Sequence, residues 1–333
     1  MVFISILLES FTMKNLKIAF LFVFNFSVSF VIAQHTDMIN SNRPGQSMSA
    51  FSVGKTVFQM ETGIYGFKED HDAARYNSNG MGLDLDFRYG LYFEELEVIV
   101  NSKYQYDKYY SPLVDETRSG FRSLVVGAKY LLYDPFKNYE EKPNIYSWKA
   151  NHRFKWRQFI PAVSVYAGVN IGVANEDYAY PDEATISPKV MIIAQNHFGT
   201  SWVLVTNIYY DKFTTDYSSL AYILTLTRGF NEKWSGFIEN QGINGDYYSD
   251  SILRGGAAYL LKSNLQIDGS ISTNFKDTPS ILYGGVGISW RFDEKYEPIK
   301  VEIGEGAEKR AGSKKKKDKQ KKEAKKRVDE VEG

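Results

Sequence analysis

The chain has 333 residues, with 40 Lys and Arg against 40 Asp and Glu, and it contains no cysteine. The lack of cysteine excludes disulfides, thiolate metal sites, cysteine nucleophiles and a lipoprotein anchor. The balanced charge conceals an asymmetry, because residues 309–327 carry 12 Lys and Arg and only two acidic residues, while the rest of the chain holds 28 basic against 38 acidic residues.

Residues 1–33 have the parts of a secretory signal peptide. Two lysines precede the apolar run Ile18–Ile32, and Ala33 supplies a small residue before the cut. A basic start, an apolar run of about 15 residues and a small residue at the cleavage site are typical of such signals. The alternative is a permanent membrane helix, but the run is short for spanning a bilayer. The sequence therefore predicts an exported chain, and Met13 fits as its true start.

Residues 34–54 are polar and show no strand pattern. Two placements stay open for them. They can remain flexible in the periplasm, as exposed termini often do, or fold into the lumen of the barrel that the following segments predict. The lumen is favoured, because Arg43 would find acidic partners there.

Residues 83–104 alternate with the period of a β-strand. Apolar residues occupy the odd positions from Leu83 to Leu91, and charged residues fill the even positions from 84 to 88. After a turn at Gly90 the alternation resumes. Because successive side chains of a strand point to opposite faces, this hairpin has one apolar and one charged face. A membrane barrel, with lipid outside and a polar lumen inside, satisfies both faces.

Residues 55–293 form a series of such segments. We predict twelve strands, at roughly 56–66, 80–91, 94–106, 120–133, 157–173, 187–197, 201–212, 218–229, 233–243, 250–261, 264–275 and 280–292. Short turns alternate with longer polar connections such as 68–80, 107–120 and 174–188, as expected for periplasmic turns and outer loops. The exception is 133–156, a long connection on the periplasmic side. The predicted fold is all-β, a transmembrane antiparallel up-and-down β-barrel.

Several motifs resemble one known family. Arg88-Tyr89-Gly90-Leu91 with Glu95-Leu96-Glu97 resembles a hairpin of the family named after the meta-cleavage pathway of phenol degradation. The segment 256–268 resembles its penultimate hairpin, and 285–292 resembles its closing strand. The resemblance covers most of residues 40–293. It implies an outer-membrane barrel transporter for small, often hydrophobic compounds.

If the apolar faces meet lipid, a set of polar side chains faces inward. The candidate lumen-lining residues are Glu61, Asp84, Asp86, Arg88, Glu97, Asn101, Lys103, Lys129, Asn207, Glu239, Arg254, Asp268 and Arg291. Such a wall selects or binds solutes, or else forms a salt-bridge network that braces the lumen. Mixed signs on neighbouring strands favour the brace, although the two roles can coexist.

The sequence offers no catalytic or metal site. The four histidines, His35, His71, His152 and His197, fall in the N-terminal segment, in connections or in a turn. None has a strand-borne serine and an acidic or amide partner at a spacing that would assemble a triad. We therefore expect no enzyme, no cofactor and no bound metal.

Residues 294–333 form a Lys-rich tail expected to be a solvated, disordered or helical interaction segment in the periplasm. Its candidate binding residues are Lys314, Lys315, Lys316, Lys317, Lys321, Lys322, Lys325, Lys326 and Arg327. An exported tail meets no nucleic acid, so the expected partners are peptidoglycan or another anionic periplasmic surface.

Taken together, the patterns predict a passive outer-membrane channel or transporter, in contact with outer-membrane lipid, for small solutes that include hydrophobic or aromatic ones. The alternative is a closed structural or adhesive barrel that acts through its outer loops or through contact of the basic tail with the cell wall.

Overall fold

The computed structural model describes residues 39–135, 146, 156–172, 178–179, 183–199 and 201–292. The predicted signal peptide and Lys-rich tail lie outside this range. The strands are β1 (Phe58–His71), β2 (Tyr76–Gly90), β3 (Leu96–Tyr110), β4 (Asp115–Tyr133), β5 (Ala162–Ile171), β6 (Ile186–Phe198), β7 (Trp202–Asp211), β8 (Ser219–Gly229), β9 (Trp234–Gly245), β10 (Asp250–Lys262), β11 (Leu265–Asn274) and β12 (Ser280–Phe292).

Each strand pairs antiparallel with the next, and β1 pairs with β12 from Phe58↔Phe292 to Asp70↔Ser280, which closes the sheet. The predicted fold, a twelve-stranded antiparallel up-and-down barrel, is confirmed. Because successive side chains of a strand point to opposite faces, the barrel has one outer and one inner set of side chains, with register shifts at a few bulges.

Two of the predicted outer connections are wrong. The turn between β1 and β2 covers only residues 72–75, where the sequence pattern predicted 68–80, and the turn between β3 and β4 covers only 111–114 instead of 107–120. Antiparallel ladders join backbone groups, so they continue even where both faces are polar. Because the side chains on both faces are polar there, no alternation of apolar and polar residues marked these strand ends in the sequence. As a result, β1 to β4 build the tallest part of the wall.

The connection between β4 and β5 leaves and returns at the end of the barrel where the short turns lie, here called the turn end. A short 3-10 helix, Trp156–Phe159, precedes β5. Residues 136–145 and 147–155 of this connection lie outside the described range.

The outer surface carries an apolar belt. Its most exposed members on the strands include Ile64, Ile192, Ile208, Ile238 and Val286. Aromatic side chains at the turn end form a partly exposed ring that includes Phe58, Tyr89, Tyr130, Trp202, Trp234 and Trp290. Within the described ranges, no helix is long and apolar enough to cross a membrane.

The interior wall is divided by chemistry. Inward side chains of β5 to β8 form an apolar cluster that includes Tyr166, Met191, Ile193, Tyr209 and Ile223. Most inward charged side chains instead line β1 to β4 and β9 to β11, and β6 and β7 contribute the ion pair Lys189–Asp211. The inward charges are therefore concentrated on one side of the barrel, with one further ion pair on β6 and β7.

Candidate functional site

Residues 39–54, here called the plug segment, lie inside the barrel at its turn end. The segment is fixed at its start by a hydrogen bond from the Ile39 backbone N–H to the Ser263 carbonyl, 2.9 Å long. Just after its end, the Thr56 N–H donates to the Gly90 carbonyl at 3.0 Å. Between these two points the segment has no regular ladder, so its backbone groups need other partners.

Glu61 on β1 binds the first turn of the plug segment. Its carboxylate accepts hydrogen bonds from the backbone N–H groups of Asn42 and Arg43, each at 3.1 Å, and from the Ser41 hydroxyl at 2.9 Å. The Glu61 side chain is fully buried. A carboxylate that accepts several N–H bonds makes stronger hydrogen bonds than a neutral acceptor does.

Glu239 on β9 binds the middle of the segment in the same way. It accepts the backbone N–H groups of Gln46 at 3.0 Å and Ser47 at 3.3 Å, together with the Thr225 hydroxyl at 2.7 Å. Arg254 on β10 pairs with the same carboxylate. Both acids thus hold main-chain N–H groups.

Neutral polar side chains hold the next part of the segment. The Asn207 amide accepts the Met48 N–H at 2.6 Å and donates to the Met48 carbonyl at 3.0 Å. Gln195 accepts the Ala50 N–H at 3.0 Å, and the Ser164 hydroxyl donates to the Ala50 carbonyl at 2.5 Å. These side chains replace the partners that a neighbouring strand would supply.

Arg43 projects from the segment onto a row of four strands. Asp84, Gly63, Gly287 and Asp268 lie side by side on β2, β1, β12 and β11. The Arg43 guanidinium lies over the two glycines, where an added Cβ would come within 2.2 to 2.3 Å of its Nη2 atom. It pairs with Asp268 at 3.2 Å and with Asp84 at 3.7 Å. The wall therefore forms a seat for one guanidinium, with a carboxylate on each side.

Four fully buried charges connect β1 to β4 beneath the segment. Arg88 lies 3.1 Å from both Glu61 and Glu97, and Lys129 lies 2.8 Å from Glu97. Arg88 also donates to the Asn40 carbonyl at 2.6 Å. Buried ion pairs gain little over apolar packing, but loss of one member is costly because it leaves a charge uncompensated.

The other predicted lumen residues lie around this network. Asp86 and Asn101 are neighbours across β2 and β3, and Lys103 reaches Gln46 at 3.1 Å and Asp84 at 3.9 Å. Arg291 is half-buried beside Gln59 near the turn end. Their role in transport stays a prediction.

Sequence reasoning missed three hydroxyl groups on the inner wall. Ser164, Thr225 and Ser289 contact the plug segment, and strand alternation alone would have placed them inward. It also missed Arg122, whose inward direction comes from a β-bulge that no alternation predicts.

Among the described residues, side chains from eleven strands reach the segment directly, and β10 reaches it through Arg254 and Glu239. The eleven are Glu61, Arg88, Glu97, Lys129, Ser164, Gln195, Asn207, Thr225, Glu239, Gln266 and Ser289. The contacts encircle the lumen, so the plug segment obstructs its turn end.

The part of the chain that the structure covers holds no group of three His, Asp or Glu side chains arranged to bind a metal ion.

Known proteins resemble the chain at different levels. No curated protein matches its sequence significantly. Similar solved structures include an outer-membrane channel from Pseudomonas putida F1, with 9% identity over 76% of this chain and 100% of that one and a TM-score of 0.49. The translocator domain of the autotransporter NalP from Neisseria meningitidis has 11% identity over 72% and 89% of the two chains, with a TM-score of 0.43. The sequence identity and the TM-score are too low to transfer a function from either structure.

A family model gives the assignment that these structures do not. The family described as "Putative MetA-pathway of phenol degradation" matches residues 41–292, from within the plug segment to the last residue of β12. The chain belongs to this family.

Proposed function

We propose that the protein spans the outer membrane and acts as a passive channel for small solutes, closed in this conformation by the plug segment. The membrane placement is supported by the apolar belt on the strands, since a closed barrel with an apolar outer band and an aromatic ring suits a bilayer. A bilayer also removes the exposure of side chains such as Ile238 and Val286 to water.

The observation that carries the channel proposal is the way in which the plug segment is held. Its contacts with the wall include many hydrogen bonds and ion pairs to side chains such as Glu61, Glu239 and Asn207. Met48, Ala50 and Phe51 also pack on the apolar cluster of β5 to β8. Water can replace the polar partners when the segment moves out, because solvated carboxylates and amides keep their hydrogen bonds. A removable segment in a closed barrel is a suitable device for opening and closing a pore.

The divided interior wall bears on the solute. A solute that passes the apolar cluster of β5 to β8 on one side meets Asp84, Asp86 and Lys103 on the other. This pairing favours small compounds with one apolar and one polar side over purely apolar ones. The family's description, which refers to phenol degradation, agrees with small aromatic solutes of this kind.

The test is single-channel conductance in a planar bilayer, comparing the full mature chain with a variant that lacks residues 39–54. We expect rare openings from the full chain and frequent discrete steps from the shortened variant. Heat-dependent migration on a gel serves as the folding control for both proteins. A folded but silent shortened variant would contradict the channel proposal and favour the closed structural or adhesive barrel.

A second comparison asks whether the charged wall lines the conducting path. Asp84→Lys and Asp86→Lys, introduced together into the shortened variant, reverse two inward charges. We expect a changed preference between small cations and anions, because fixed charges in a pore select by sign. An unchanged preference would mean that the path avoids this wall.

A further inference from the structure

Arg122 reaches the lumen through an irregularity in β4. Lys103 pairs with Ser123 and Tyr104 pairs with Phe121, so Arg122 is left as the extra residue of a β-bulge. Val125 and Lys129 face inward, and regular alternation back from them would place residue 122 on the outer face. A bulge re-aims a side chain, and here it turns a guanidinium away from the lipid-facing surface and into the barrel.

Within the described residues, the guanidinium has only neutral partners. Its Nη1 atom donates to the Gln105 side-chain oxygen at 2.9 Å and to the Tyr283 hydroxyl at 3.2 Å. In contrast, Arg43, Arg88 and Arg254 each pair with a carboxylate. Among the described residues, Arg122 therefore has hydrogen bonds but no ion pair.

The Asp107 carboxylate on the neighbouring strand β3 is occupied elsewhere. Asp107 accepts from Ser78 at 2.5 Å and from Arg118 at 2.6 Å, and Tyr178 also donates to it. The Gln105 amide N–H donates to Asp107 at 3.2 Å, which leaves the Gln105 oxygen facing Arg122. This chain of bonds holds Nη1 in place and, as far as the described residues go, leaves the edge formed by Nε and Nη2 for a ligand. That edge is a two-pronged donor that matches a carboxylate.

Three aromatic rings cluster on β1 and β12, and one of them, Tyr283, contacts Arg122 through its hydroxyl. Phe67 and Tyr283 stack with centroids 5.5 Å apart, and Tyr65 lies 6.0 Å from Tyr283. A Cβ at Gly82 would come within 2.2 Å of the Tyr65 ring, so the absence of a side chain there makes room for it. Phe67 is buried, whereas Tyr65 and Tyr283 are half-buried, so parts of these two rings remain accessible in the lumen.

We propose that Arg122, Tyr65 and Tyr283 form a binding site for an aromatic monocarboxylate between the outer opening and the plug segment. The carboxylate binds the free edge of Arg122, and the ring of the ligand packs on the two tyrosines. The site rests on the proposed channel function, in that it lies along the path of a solute entering from outside. The site requires a ligand that carries a negative charge, whereas the divided wall alone specifies only one apolar and one polar side.

Isothermal titration of the full mature chain in detergent with benzoate tests the site. Arg122→Gln is compared with Lys108→Gln, which removes one exposed positive charge from the neighbouring strand β3. We expect Lys108→Gln to bind benzoate like the natural protein and Arg122→Gln to bind it about 10- to 100-fold more weakly, as for loss of a charged hydrogen-bonding partner. Equal benzoate affinity in the two variants would overturn the proposal.

Two further probes separate the ring from the charge. Acetate and benzyl alcohol each lack one half of the ligand, so both should bind more weakly than benzoate. Tyr65→Leu should weaken benzoate binding while leaving acetate binding unchanged. Acetate binding as tight as benzoate binding would refute the aromatic part of the site.

The outcome is separable from that of the channel experiment. Arg122-dependent benzoate binding together with a silent shortened variant would retain the site and refute the channel. Conduction by the shortened variant together with benzoate binding that ignores Arg122 would retain the channel and refute the site.

Discussion

Replacement of Gly63 by alanine should loosen the plug segment without weakening the barrel. The new Cβ would lie 2.2 Å from Nη2 of Arg43, so the guanidinium must leave its seat. The Arg43 side chain is flexible at this end, so the strand itself need not move. The free energy that the substitution costs is therefore that of the lost ion pairs with Asp268 and Asp84.

The size of the effect follows from the Asp268 contact. It is 3.2 Å long, and the two side chains are 11% and 0% exposed, so little solvent screens it. A hydrogen bond to a charged group contributes about 1.5–3 kcal/mol. Loss of this free energy raises the fraction of molecules with a displaced plug segment by about 10- to 100-fold.

The natural lack of cysteine provides the assay. Ser47→Cys places a single thiol on a segment position that is 7% exposed, and its rate of reaction with a maleimide reports how often the segment leaves the wall. The matched control is Gly66→Ala on the same strand, where an added Cβ finds its nearest atom only at 3.9 Å. The reasoning is refuted if both alanine variants label at the same rate, or if Gly63→Ala unfolds at a lower denaturant concentration than the control.

Two further predictions concern the wall. Glu97→Gln leaves the buried Arg88 and Lys129 without their shared carboxylate and should destabilise the barrel by about 3–5 kcal/mol in urea unfolding. The control Glu232→Gln, at an exposed position, should leave the stability unchanged. Equal stabilities of the two variants would mean that the charges of Arg88 and Lys129 are hydrated. Ile238→Lys places a charge in the apolar belt and should lower the free energy of unfolding from lipid vesicles by about 2–4 kcal/mol, whereas Tyr247→Lys, at a similarly exposed turn position, should be tolerated. Tolerance of Ile238→Lys would show that this face does not meet the hydrocarbon core.

The barrel could be predicted from the sequence because one physical rule governs every strand. A wall between lipid and lumen requires apolar residues at alternate positions, as from Leu83 to Leu91, and this repeats in each segment. The rule weakens where β1 to β4 rise past the apolar belt. There both faces are polar, so the strand ends at His71 and Tyr110 left no signal in the pattern.

The site could be predicted only in part. Alternation places Glu61 and Glu239 on the inner face, but it does not say which groups they bind. Their partners are backbone N–H groups of the plug segment, whose polar sequence has no period to align with the wall. The inward direction of Arg122 depends on one unpaired residue in the β3–β4 ladder, which is a property of the register and not of the composition.

The central claim is that the plug segment closes the lumen, and a reversible cross-link tests it most directly. The hydroxyl oxygens of Ser47 and Thr225 are 2.8 Å apart, so cysteines at both positions are close enough to form a disulfide of about 2.05 Å after small shifts. Current through this double variant is recorded in one planar bilayer, first oxidised and then after addition of a reductant. We predict silence in the oxidised state and discrete openings once the bond is reduced. Equal conductance in the two states, or silence in both, would contradict the account.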